Sequence, residues 1–119
     1  MGRGKLEYKI KKFIIENDLK KNIRLVGYKS NPYPYIKQSN FVILTSLHEG
    51  LPSVLLEALV LKKFVISSNC VSGPKEILSN GKGGALFKVR NYKELARLII
   101  FYNKNLKMRN MKIKFALKN

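Results

Sequence analysis

Two glutamates flank a glycine-proline turn in Glu49-Gly50-Leu51-Pro52-Ser53-Val54-Leu55-Leu56-Glu57. The spacing puts Glu49 in the turn and Glu57 about two turns into the helix that follows. Gly50 permits close approach of a ligand to the backbone. Pro52 suits the first turn of a helix because it has no N–H to lose, and Ser53-Val54-Leu55-Leu56 carries the chain into helix. The N–H groups at such a helix start lack intrahelical partners and carry a partial positive charge of about half an electron, which can hold a diphosphate without a metal ion. Glu57 can then accept ribose hydroxyls while Glu49, with the Gly50, Leu51, Pro52 and Ser53 backbone beside it, addresses a sugar. The chemistry indicated is recognition of a nucleotide-diphosphate sugar.

Taken singly, each acid has an ordinary reading: Glu57 as a solvated helix carboxylate, and Glu49 as a turn acid near a helix start, where negative charge is favourable anyway. Their joint spacing favours the ligand reading. His48 could act as acid or base near neutral pH, but no partner for it is evident. Gly2-Arg3-Gly4 reads as a helix-start turn or as a phosphate loop, and Glu76, just after a Gly-Pro turn, as a capping charge or a ligand contact. Tyr28, Tyr33 and Tyr35 could stack a base or pack over their own core.

The acids must be positioned by the elements around them, and short β-rich runs alternate here with helical segments, the pattern of an α/β unit with a parallel sheet. Leu6 to Ile15 is helical by spacing, and Ile23-Arg24-Leu25-Val26 reads as a strand ending at Gly27. Asn31-Pro32-Tyr33-Pro34-Tyr35 reads as a loop. Phe41-Val42-Ile43-Leu44-Thr45 is a continuous apolar run, expected as a strand covered on both faces, and it delivers the chain to Glu49. A helix over Ser53 to Leu61, a strand over Phe64 to Ser67, a turn into a short helix over Gly73 to Leu78, a strand over Ala85 to Val89 and a helix over Tyr92 to Tyr102 follow.

A chain of 119 residues makes one domain. Its apolar stretches fall far short of the roughly 20 residues of a membrane span, and no signal-peptide core opens it, so a cytoplasmic location is expected. Cys70, the single cysteine, excludes an intramolecular disulfide and a cysteine zinc cluster. Lys and Arg number 24 against 7 Asp and Glu, a net charge of +17. Such a balance attracts phosphate-rich partners, although lysine-rich, arginine-poor composition also follows from AT-rich codons alone. Residues 103–119 carry six cations and no acid between apolar residues. They read as a basic helix that packs on its own domain, or as one that contacts the inner face of a membrane.

The ordered series Gly2-Arg3-Gly4, Ile23-Arg24-Leu25-Val26-Gly27, Phe41 to Ser46, Glu49 to Ala58, Ser72-Gly73-Pro74-Lys75-Glu76-Ile77-Leu78, Asn80-Gly81 with Gly84, and Glu94-Leu95-Ala96 resembles the donor-binding half of glycosyltransferase family 4, the retaining enzymes of GT-B fold. The likeness runs from Gly2 to about Ile100 and implies an α/β fold, a Rossmann-like parallel sheet flanked by helices, as the incomplete C-terminal half of a GT-B fold. On that footing residues 1–102 form a truncated nucleotide-sugar-binding domain and residues 103–119 a basic C-terminal helix. The resemblance implies that Glu49 contacts the transferred sugar, that Glu57 holds the ribose, that Gly50 to Ser53 face sugar and diphosphate, and that Gly27 and Tyr28 lie against the base. It implies transfer with retention to a glycan or lipid-linked acceptor in polysaccharide or lipopolysaccharide synthesis.

No metal or other cofactor is expected, because Asp18 is the sole aspartate and cannot form a paired-aspartate clamp. Against that pattern the chain is expected to be without the strand and helix whose arginine and lysine grip the diphosphate and without the N-terminal acceptor domain, and it carries Asn40 for a usual aspartate and Gly83 for a common asparagine. A non-catalytic remnant or partner subunit of a split glycosyltransferase is the alternative. A basic nucleic-acid-binding domain, which no zinc-finger, basic-zipper or RNA-recognition motif supports, stands further behind. Without an acceptor domain to orient attack and exclude water, the purified 119-residue chain is expected to show no sugar transfer; a measurable transfer rate overturns this.

Overall fold

Phe64-Val65-Ile66 is the kind of β-branched and aromatic run that fits a pleated surface buried on both sides, and the fold is organised around it. The computed structural model describes residues 6–27, 30–45, 53–69, 74, 78 and 81–118. They form two compact units, Met1–Pro34 and Tyr35–Asn119.

In the first unit α1 spans Glu7–Glu16. Its buried residue is Ile14, while Lys11–Glu7 (4.0 Å) and Lys12–Glu16 (3.8 Å) are exposed i,i+4 pairs of small energetic weight. The helix closes by a Schellman motif without glycine: Asp18 takes φ 52°, Leu19 N–H donates to Ile14 O (2.9 Å) and Asp18 N–H to Ile15 O (3.3 Å). The expected strand over 23–26 is not one. Ile23 and Leu25 are exposed and, among the described residues, no neighbouring chain pairs with this stretch, so its backbone has no ladder to join.

The second unit holds a three-stranded parallel sheet of order β1 (Phe41–Leu44), β2 (Phe64–Ser68) and β3 (Ala85–Phe87). Phe41 faces Phe64 and Leu44 faces Ser67 on one side of β2, while Ile66 faces Ala85 and Ser68 faces Phe87 on the other. Every residue of β2 is buried. On β1 Ile43 is 38% exposed, so the strand expected to be covered on both faces is less covered than β2. The alternation of β2 divides two cores. Val65 packs with Ile36, Leu55, Ala58, Leu59 and Leu78, whereas Phe64 and Ile66 pack with Ala85, Phe87 and Tyr102. Phe64 lies with its ring centre 4.5 Å from Tyr102 and 6.0 Å, edge-on, from Phe41.

Among the described residues four helices flank the sheet. α2 (Tyr33–Gln38) occupies a stretch that reads as loop. Its prolines sit where a helix tolerates them, Asn31 Oδ1 accepts the Tyr33 N–H at 3.2 Å, and Ile36 anchors it in the core. α3 (Ser53–Val60) buries Leu55, Ala58 and Leu59. It ends in a second glycine-free Schellman motif, with Lys62 at φ 61°, Lys63 N–H donating to Ala58 O and Lys62 N–H to Leu59 O, both at 2.9 Å. α4 (Tyr92–Asn103) opens on a side-chain cap, in which Asn91 Oδ1 accepts the Glu94 N–H (3.1 Å), while Glu94 Oε1 reaches past the cap to accept the Lys88 N–H (3.3 Å). α5 (Leu106–Lys118) packs on α3, α4 and β2.

The glycines before β3 are there for space. A Cβ on Gly84 would stand 2.8 Å from Val65 O, and one on Gly83 would stand 2.9 Å from the Cβ of Ala116 on α5. Gly84→Ala should therefore cost about 1–3 kcal/mol, because a strand carbonyl cannot step aside, measured by denaturant unfolding. Lys62→Gly should stabilise by about 0.5–1 kcal/mol in the same measurement by relieving the left-handed backbone; a loss of stability would contradict the capping account.

Candidate functional site

In a parallel α/β sheet, ligands bind outside the carboxyl ends of the strands, where helix starts and loop backbone converge. Here β1 and β2 run parallel and α3 lies between them in sequence. α3 ends only three residues before β2 begins, so its carboxyl end lies by the amino ends of the strands and its start by their carboxyl ends. That start is Ser53, whose backbone opens the helix. The turn of Glu49, Gly50, Leu51 and Pro52 falls outside the described residues, as do Tyr28, His48, Cys70 and Glu76.

Glu57 is the fifth residue of α3, a little over one turn from its start rather than two. It is half-buried, set off the stripe of Leu55, Ala58 and Leu59 that faces the core. Half-burial leaves its side chain partly in water. Gly27, in the first unit, adopts φ +70°, with nothing within 4 Å of where a Cβ would be. Its glycine is required by backbone conformation, not by crowding. Tyr33 and Tyr35, candidates for stacking a base, stand on α2 with 49% and 38% of their surface exposed.

The carboxyl ends of β2 and β3 carry polar groups that the motif reading did not single out. An open cleft of about 420 Å³ is lined by Asn69, Leu86, Phe87, Lys88 and Val89. Asn69 N–H donates to Phe87 O at 2.8 Å, which leaves its exposed side chain at the rim. Lys88 is exposed there while its N–H is held by Glu94. Just inside, Ser67 Oγ donates to Ser68 O at 3.0 Å. The sequence signal was the change from apolar to polar in Ser67-Ser68-Asn69 at the end of a buried run. Among the described residues no group of three or more His, Cys, Asp or Glu is placed to hold a metal ion, and no helix is long and apolar enough to cross a membrane.

Residues 1–119 match the family model "Glycosyl transferases group 1". An uncharacterized glycosyltransferase of Methanocaldococcus jannaschii is 42% identical over 78 residues, 66% of this chain and 19% of the relative. A lipopolysaccharide 1,6-galactosyltransferase of Salmonella typhimurium is 31% identical over 91 residues, 73% of this chain and 25% of the relative. Among solved structures, a variant of TarM from S. aureus, in complex with fondaparinux, alpha-GlcNAc-glycerol and UDP, superposes with a TM-score of 0.86 at 26% identity, over 95% of this chain and 23% of that one. The chain thus spans about a fifth to a quarter of the length of the proteins it matches. Its parallel sheet with flanking helices corresponds to part of a GT-B glycosyltransferase fold.

Gly27→Ala tests the left-handed glycine of the first unit. With open space around it, the substitution should cost about 1 kcal/mol through backbone conformation alone, read by denaturant unfolding; a loss several times larger would mean that a contact, and not φ, requires glycine.

Proposed function

Because the chain belongs to the glycosyl transferases of group 1, we propose that it binds a nucleotide-diphosphate sugar and, within a complete enzyme, serves sugar transfer with retention of anomeric configuration to a glycan or lipid-linked acceptor. The observation that carries this reading is Glu57, half-buried on a helix whose start lies at the carboxyl edge of a parallel sheet. In the proposal Glu57 accepts the ribose hydroxyls, the Gly50-to-Ser53 backbone meets the diphosphate and sugar, Glu49 contacts the transferred sugar, and Gly27 and Tyr28 lie against the base. The UDP bound by the S. aureus structure supports a nucleotide ligand. The Salmonella relative's action on lipopolysaccharide supports a cell-surface glycan as acceptor.

The chemistry assigned to the protein is electrostatic. Retention requires the diphosphate to leave from the face that the acceptor attacks, so the leaving group's charge must be met where it develops. With Asp18 as the sole aspartate, helix-start N–H groups and cations are proposed to meet it, without a metal ion.

Calorimetric or thermal-shift titration with UDP, GDP and ADP sugars tests the reading. One nucleotide sugar should raise the melting temperature, since a ligand that binds only the native form stabilises it. Glu57→Gln should weaken that binding roughly 10- to 100-fold, the loss of charge-assisted hydrogen bonds of about 1.5–3 kcal/mol. Stabilisation by none of the three, or a variant that binds as the parent does, would overturn the assignment.

A further inference from the structure

α5 crosses the amino-terminal edge of the sheet, the end away from the candidate site. The Arg109 guanidinium carbon stands 5.1 Å from the ring centre of Phe41, the first residue of β1. Lys112 Nζ donates to Gly81 O at 2.7 Å and to Gly84 O at 3.0 Å, just ahead of β3. A cleft of about 280 Å³ lies between Lys62, just ahead of β2, and Asn110, Ile113, Lys114 and Leu117. Ala116 packs against one core and Ile113 against the other, so these two with Arg109 and Lys112 mark the inward side of the helix, and Asn110, Lys114 and Leu117 border it at the cleft.

The other side is chemically distinct. Lys107, Met111, Lys114 and Lys118 follow one another at spacings of four, three and four residues, so they form a single line along the helix, and all are exposed. Met111 is 62% exposed in the middle of that line, and Leu117, on its flank, is 47% exposed. No aspartate or glutamate occurs from Leu95 to Asn119.

We infer that this face of α5 docks on an anionic lipid surface. Lysines along one helix face place their charge among headgroups while their stems, and the methionine between them, reach toward the acyl boundary. Each lysine near such a surface contributes about fivefold in affinity. Arginine, the side chain best suited to bidentate phosphate and base contacts, is turned inward at Arg109. Exposed Met111 and Leu117 gain little from a sugar-phosphate backbone but gain from a bilayer, and so the face fits lipid better than nucleic acid. Because it lies at the opposite end of the strands from Ser53 and Asn69, docking leaves the candidate site open, and the inference does not depend on which ligand that site takes.

Co-sedimentation of the 119-residue chain with phosphatidylcholine vesicles, with and without phosphatidylglycerol, tests the inference. Binding should need phosphatidylglycerol. The combined Lys107→Gln, Lys114→Gln and Lys118→Gln variant should bind roughly 100-fold more weakly with an unchanged melting temperature. Met111→Ser, which leaves the charge intact, should weaken binding roughly threefold to tenfold. Equal binding to both vesicles, no binding to either, or a triple variant that binds as the parent does would overturn it. So would an RNA oligonucleotide that displaces the chain from the vesicles at matched ionic strength.

Discussion

The burial of β2 on both faces is the constraint on which the unit Tyr35–Asn119 depends. Phe64, Val65 and Ile66 are each 1% exposed or less, and their alternation sends two side chains into the core of Tyr102, Ala85 and Phe87 and one into the core of Leu55, Ala58 and Leu59. Complete burial of such a side chain is worth about 1.5–3 kcal/mol, so this one strand ties helices on both sides of the sheet to a common register. Burial of the strand's last residues carries an obligation, since a buried hydroxyl needs a partner. Ser67 meets it with the carbonyl of Ser68. The strand that holds the fold together is therefore the strand whose end brings polar groups to the carboxyl edge.

Much of this was legible in the amino acids. The continuous apolar runs at Phe41 and Phe64 marked two strands of the sheet, and their alternation with helical segments implied that it is parallel. Glu94 falls inside the helix expected over Tyr92 to Tyr102, and the structure adds hydrogen bonds to it at the helix start through Asn91 and Lys88. The failures have common physical causes. α2 was hidden by two prolines, residues that signal a loop anywhere except in the first turn of a helix. The ends of α1 and α3 were obscure because Asp18 and Lys62 adopt the left-handed conformation that a reader of sequence assigns to glycine. Ile23-Arg24-Leu25-Val26 has the composition of a strand, but a strand is a relationship with a neighbour, and composition cannot report the neighbour.

The candidate site shows the same division. Glu57 could be placed on a helix from spacing alone, although it stands a little over one turn from the helix start and not two. Asn69 and Lys88 belong to no motif and come together only because parallel pairing sets the ends of β2 and β3 side by side. Charge was legible as a total and not as a distribution. The two α5 cations that close on the carbonyls of the Gly81–Gly84 turn and on the ring of Phe41 look in the sequence like the lysines that face outward.

Gly83 has a consequence that extends to the history of the chain. The missing carbon at this position is what allows the backbone to approach the methyl group of Ala116, and the gap is too narrow for a side chain at position 83. Descendants of this sequence can enlarge position 83 only if the terminal helix retreats or position 116 shrinks to glycine. Two sites 33 residues apart are thereby bound to change together, and an asparagine at the first should travel with a displaced last helix.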